Sequence, residues 1–169
     1  MIKIKRAEFL SAILCAAKKD VRYYLNGLCI DGEGFIISTD GHRMFVGKAE
    51  TDQETVIVSV KGKIPSKFDH VEIKTEELTI VFHDATSVLI QQNLIEIIDG
   101  RFPDWRRVDS YNEEKVSDIG LNLNYLNDAA KAAKFFGTEN AKISFQGTSR
   151  GVHVRLSDTS HMVIMPCRM

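Results

Sequence analysis

The sequence predicts an α+β protein built from three repeated helix-plus-antiparallel-sheet units, and three observations predict it. A helix-like segment near the start is followed by three short apolar runs separated by turn residues. The same order of elements returns at the end of the chain. A degraded copy of it fills the middle.

The first unit begins with residues 7–19, where Leu10, Ile13, Leu14 and Ala17 share one helical face while Glu8, Ser11, Cys15 and Lys18 line another. Strands are expected at 28–31, 35–39 and 43–48, with Gly32-Glu33-Gly34 and Asp40-Gly41 as the turns between them. In the middle unit, strands are expected at 55–60, 71–74, 78–82 and 87–91. The segment between the first two carries Gly62 and Pro65, which leave room for no more than one helical turn. In the last unit a helix is expected over 124–136, with Leu126, Ala130 and Ala133 at helical spacing and Asn122 or Asn124 as N-cap. Strands at 142–145, 152–156 and 162–165 follow it, the second showing clean alternation.

With 169 residues, 44% hydrophobic and 27% charged, the chain is long enough for a sizeable core and ordinary in composition. A net charge of −1 argues against indiscriminate nucleic-acid binding but leaves room for a local basic surface. Cys15, Cys29 and Cys167 are scattered and form no CxxC pair, so neither a disulfide framework nor a cysteine zinc site is expected, and a reducing cytoplasm fits. No signal peptide or membrane span is read from the sequence.

Three stretches carry chemistry worth weighing. Asp40 and His42, two residues apart, are of types that ligate metals or share a proton, and a metal-dependent hydrolase centred on them is the alternative from another class; the Asp-Gly pair between strands is better explained as a hairpin turn. His70, His83, His153 and His161 stand isolated along the chain, and no catalytic, metal or cofactor motif accompanies them. No enzyme activity, catalytic residue, metal or cofactor is therefore expected. In 101–108, Arg-Phe-Pro-Asp-Trp-Arg-Arg-Val, arginines alternate with aromatics that stack on bases in other settings. Here the preferred reading is a connector anchored by Phe102 and Trp105. The last eight residues, Met162 to Met169, form either an adaptable Met-rich groove wall or a plain edge strand.

Taken together, 20–27 with 39–44, then 99–108, then 163–169 resemble segments of the bacterial DNA polymerase III β subunit, the β sliding clamp family. The resemblance implies a DNA-clamp-like fold in shortened form: the family's second domain over residues 1–110, with a degraded second helix, and the second half of its third domain, carrying the C-terminal cleft strand, over 111–169. No counterpart of the family's first domain is expected from the resemblance.

The resemblance also implies a non-catalytic scaffold whose cleft holds short peptides, commonly of Gln-Leu-x-Leu-Phe type, from polymerases and related factors. The corresponding positions are Thr39, Gly41, His42, Arg43, Met44, Pro103, Arg107, Val108, Val163, Ile164, Met165, Pro166, Cys167, Arg168 and Met169. Met44, Val108, Ile164 and Met165 are expected along its apolar floor, with Arg43, Arg107 and Arg168 at the rim. Cys167 and Met169 depart from the family's usual Met and Leu. Lys18, Lys19, Arg22, Lys131 and Lys134 are the candidates for non-specific contact with duplex phosphates, and a clamp loader is a further implied partner. Self-association into a ring is expected, four copies supplying twelve units; the alternative is a non-encircling competitor for the same peptides.

Overall fold

A computed structural model describes residues 1–110, 114–116 and 118–168. The first unit runs β1 (Ile2–Lys5), α1 (Arg6–Cys15), β2 (Leu28–Asp31), β3 (Phe35–Thr39), β4 (Arg43–Lys48) and the short β5 (Glu50–Thr51). The middle unit has β6 (Val56–Val60), β7 (His70–Lys74), β8 (Thr79–His83) and β9 (Leu89–Ile97), and the last has α2 (Leu123–Phe135), β10 (Lys142–Ser144), β11 (Val152–Arg155) and β12 (His161–Ile164). The strands join one sheet in the order β10-β11-β12-β4-β3-β2-β6-β9-β8-β7-β1-β5, and the neighbours pair antiparallel.

The units are stitched together by exchange. β1 leaves its own unit to pair with β7, and β6 crosses to pair with β2. β9 pairs first with β8 and then, over Ile95–Ile97, with β6. It is longer than the expected 87–91 and starts later, because the Asp84 carboxylate accepts from the backbone N–H groups of Thr86 and Val88 and holds 84–88 as a turn. The segment 61–69 forms no helix, as Gly62 (φ +81°) and Pro65 dictate, and Phe68 fills the space with edge-on contacts to Phe9 and Phe82.

Helix α1 corrects the sequence reading twice. It stops at Cys15 rather than 19: Ala16 is extended (ψ 140°) and Lys19 is left-handed (φ 57°). Its buried residues are Glu8, Phe9, Ser11, Ala12 and Cys15, so the face that reads as polar is inside, while Leu10, Ile13 and Leu14 are only partly covered. The reason is position. α1 is wedged between β3 and β4 on one side and α2 on the other, so two faces are covered at once. In α2, Ala129, Ala132 and Ala133 are buried and Ala130 is exposed, while the Asn122 side chain caps the helix by accepting from the N–H of Asn124.

Glu8 meets the last unit directly: Ser160 Oγ donates to its Oε1 at 2.7 Å. Burial raises its carboxyl above the ordinary range, and the Ser160 bond only partly offsets this. A folded-state pKa above the unfolded one makes this group's contribution most favourable in acid and erodes it as pH rises through the folded value. Glu8→Gln is therefore expected to raise Tm at pH 7, by about 2–4 °C for each kcal/mol gained, and to change it little at pH 4. Melting curves of both proteins at the two pH values check this; a Glu8→Gln loss at pH 7 would contradict it.

Strand alternation creates two cores. Ile30, Ile36, Phe45, Met162 and Ile164 point to the helix side, and Cys29, Ile37, Met44, Val46 and Val163 point to the opposite face. The second face is where the candidate site lies.

Candidate functional site: a groove beside the C-terminal strand

Backbone pairing builds the site. β12 lies antiparallel to β4 with Val163 opposite Met44, and just beyond the strand the N–H of Met165 donates to the carbonyl of His42 at 2.9 Å. Across the same face runs the connector 98–109. Trp105 is buried there, 5.5 Å from the Phe35 ring, and Arg106 bonds both Asp31 Oδ2 (2.9 Å) and Glu33 Oε2 (2.7 Å). Phe102 and Trp105 thus anchor the connector, as expected.

Between these three segments opens a groove of about 290 Å³. Of the residues proposed from sequence, Thr39, Gly41, Arg43, Met44, Pro103, Val108, Val163 and Met165 line it. Leu25, Phe102, Asp104, Trp105 and Arg22 line it too, and were not among the cleft candidates. The aromatic pair was legible as an anchor, and its second side forms the groove wall.

The remaining candidates sit elsewhere. Ile164 is fully buried in the helix-side core, because Val163 takes the groove face and alternation sends its neighbour the other way. It cannot form the floor. His42 is exposed and stacks on Tyr125 (17° between planes). Arg107 is exposed and paired with Asp104 at 2.9 Å, outside the groove lining. Pro166 is half-buried, and Cys167 and Arg168 are exposed, with the N–H of Cys167 donating to Gly120 O. Met169 lies outside the described residues.

Two arginines define the electrostatics. Arg43 is not a free rim cation. Its guanidinium bonds Asp40 Oδ2 (3.2 Å), Asp128 and the Leu14 carbonyl (2.8 Å), and it lies over the Tyr125 ring at 4.8 Å. Arg22, a DNA-facing candidate, lies instead at the groove mouth. Its Nε and Nη2 bond Asp20 at 3.0 and 2.7 Å, and Nη2 also donates to Asp40 O. That bond to Arg22 holds the Asp20 carboxyl down to about 2. Gly41 (φ +91°) lets the hairpin pass under this arginine, since a Cβ there would stand 2.9 Å from Arg22 Nη1. Lys18, Lys19, Lys131 and Lys134 are exposed, Lys131 pairing with Asp128.

Asp40 is committed to its own turn. Its Oδ1 accepts from the N–H groups of His42 (2.9 Å) and Arg43 (3.0 Å). That is the hairpin role, and the His42 ring points to Tyr125 rather than to the Asp40 carboxylate.

Comparison with known proteins decides the relationship. The β sliding clamp of Vibrio cholerae is 31% identical over 162 residues, which take in 84% of this chain and 38% of that protein. That of Escherichia coli K12 is 32% identical over 120 residues, 63% of this chain and 32% of that protein. The chain belongs to the β sliding clamp family. The DNA polymerase sliding clamp from Pseudomonas aeruginosa superposes with a TM-score of 0.66 at 18% identity, over 99% of this chain and 66% of that one. The β subunit from the DNA polymerase of Streptococcus pyogenes does so at 0.66 and 16% identity, over 99% and 65%. These establish the sliding-clamp fold. No protein-family model matches the chain. It spans about two fifths of the length of the first curated relatives, the V. cholerae and Haemophilus influenzae clamps (38% and 42%). No helix among the described residues is long and apolar enough to cross a membrane.

Proposed function

We propose that this clamp-like protein serves DNA replication as a non-catalytic scaffold whose groove takes short apolar peptides from polymerases and related factors. The observation that carries this is the groove itself: three segments distant in sequence, each resembling a β-clamp segment, converge on one apolar trough with an arginine at its mouth. A peptide with two or three apolar side chains and a polar or acidic group fits such a trough, the apolar groups against Met44, Val108, Val163 and Met165 and the polar group at Arg22. Asp40 and His42, held in the turn and against Tyr125, give no support to a hydrolase.

A labelled Gln-Leu-x-Leu-Phe peptide in fluorescence polarisation tests the reading. Met165→Ala is expected to weaken binding about tenfold, near 1.4 kcal/mol, with the fold retained. Unchanged affinity, or no binding by the unaltered protein, would reject the groove.

Encirclement of duplex DNA is the finer part of the proposal. It is supported by the exposed Lys18, Lys19, Lys134 and Lys131, and by a sheet whose end strands, β10 and β5, each have one strand neighbour among the described residues. Such edges favour head-to-tail association, which in the cytoplasm would bring copies together as a ring open to a clamp loader. Light scattering should then report a tetramer, whose mass would justify testing retention on circular DNA. A monomer or dimer would leave a peptide competitor that does not surround DNA.

A further inference from the structure

We propose that His70, Glu72 and His83 form a binding site for a divalent transition-metal ion of the zinc type, on the β7–β8 hairpin and apart from the groove. The two histidines are thirteen residues apart in sequence and carry no ligand spacing, but the hairpin register sets them directly opposite each other. Their rings stack at 5.0 Å with 10° between planes, so one ring turns about its Cβ–Cγ bond to aim its lone pair at a shared ion. Glu72 follows His70 by two positions and so shares its face of the strand. One ligand atom from each of the three lies within 4.8 Å of the others.

Hydrogen bonding fixes which ring atoms are available. His83 Nδ1 lies 3.2 Å from the carbonyl oxygen of Ser87, and His70 Nδ1 lies 3.1 Å from the Asp69 carboxylate. Both partners only accept, so each Nδ1 carries a proton and Nε2 is the ring atom left to meet an ion. Those two Nε2 atoms are buried and have no hydrogen-bond partner, and His70 as a whole is 4% exposed. Buried polar atoms left this way are rare, and a bound water or ion is a usual reason for them. An outer imidazole N–H held by a carboxylate or a backbone carbonyl is also the usual second support of a metal-bound histidine.

The spacing agrees. Glu72 Oε2 lies 3.4 Å from His83 Nε2, without hydrogen-bond alignment. Neighbouring ligands of a tetrahedral zinc ion, each about 2.0–2.2 Å from the metal, stand roughly 3.3 Å apart. Two neutral imidazoles and one carboxylate leave the site at −1, suited to a dication, with a fourth position for water. Lys5, the cross-strand partner of His70, is exposed, so its charge is solvated. The ion would clip β7 to β8 in the one unit that lacks a helix.

Titration of the full chain with Zn²⁺ by calorimetry, and with Co²⁺ followed by visible absorption, tests the proposal. One equivalent should bind, with tetrahedral d–d bands for Co²⁺, and the melting temperature should rise with added Zn²⁺. Glu72→Gln, at a partly exposed position, should weaken binding about tenfold or more, and His83→Asn should abolish it. His161→Gln, which alters the separate Asp109–His153–His161 cluster, should leave the stoichiometry at one. Absence of binding, or binding indifferent to both Glu72→Gln and His83→Asn, overturns the assignment.

Discussion

Replacing Arg43 by alanine should destabilise the protein by about 3 to 5 kcal/mol, because it removes one partner from a largely buried ion-pair network. The Arg43 and Asp128 side chains are only 12% and 18% exposed. The guanidinium joins β4 to α2 through Asp128, to α1 through the Leu14 carbonyl, and to its own hairpin through Asp40. Its loss leaves Asp128 with Lys131 alone, Asp40 with only its turn N–H groups, and the Leu14 carbonyl without this donor. Urea unfolding should show the midpoint falling while the slope is kept. Arg43→Lys should recover only part of the loss, since an ammonium cannot reproduce the planar fork.

The effect has a pH signature. Burial works against the Asp128 charge, and Lys131 and Arg43 outweigh it, so its pKa lies below the ordinary carboxylate value. A depressed folded-state pKa stabilises above the unfolded value and is lost as pH falls through the folded one. The gap between the natural protein and Arg43→Ala should therefore narrow in acid. A loss below about 1 kcal/mol at pH 7 would mean that the network behaves as a surface pair.

Trp105→Ala should cost about 3 to 5 kcal/mol and should also empty the groove of peptide. The indole is 8% exposed and packs with Phe35, Cys29, Ile37, Met44, Ile57 and Val163 on the outer face of the sheet. Arg106 lies over the same ring at 4.2 Å while reaching Asp31 and Glu33, so the ring and the salt bridges hold the connector as one piece. Without the ring, Phe102, Pro103 and Val108 lose their seat and one groove wall goes with them. Peptide affinity should fall by more than the tenfold expected for Met165→Ala. Trp105→Phe keeps an aromatic in place and should retain most of both properties. If Trp105→Ala unfolded no more easily than the natural chain, the connector would not be the groove's support.

Much of the site was legible because it rests on local signals. Asp40-Gly41 marks a hairpin that presents Thr39 and Met44, and Phe102 and Trp105 mark an anchored connector. The resemblance then joined them to the C-terminal strand, and eight of the cleft candidates line the groove. The misplacements share one cause. Ile164 and Val163 are equivalent as residues, and only the pairing of β12 with β4 decides which faces the groove. Arg22 reads as a basic residue after a helix, but Asp20 and the Asp40 carbonyl draw it to the groove mouth.

The sequence alone determined where most strands and both helices form, that the middle helix is lost, and which family the chain resembles. Alternation, turn residues, Gly62 and Pro65 act within a few residues of themselves. Tertiary structure decided which faces those elements bury. α1 turns Glu8, Ser11 and Cys15 inward because sheet and second helix cover it from two sides. His70 and His83 become neighbours because a hairpin register places them so. Propensity acts through the nearest neighbours in the chain, whereas burial and side-chain partnership depend on what arrives from elsewhere in it.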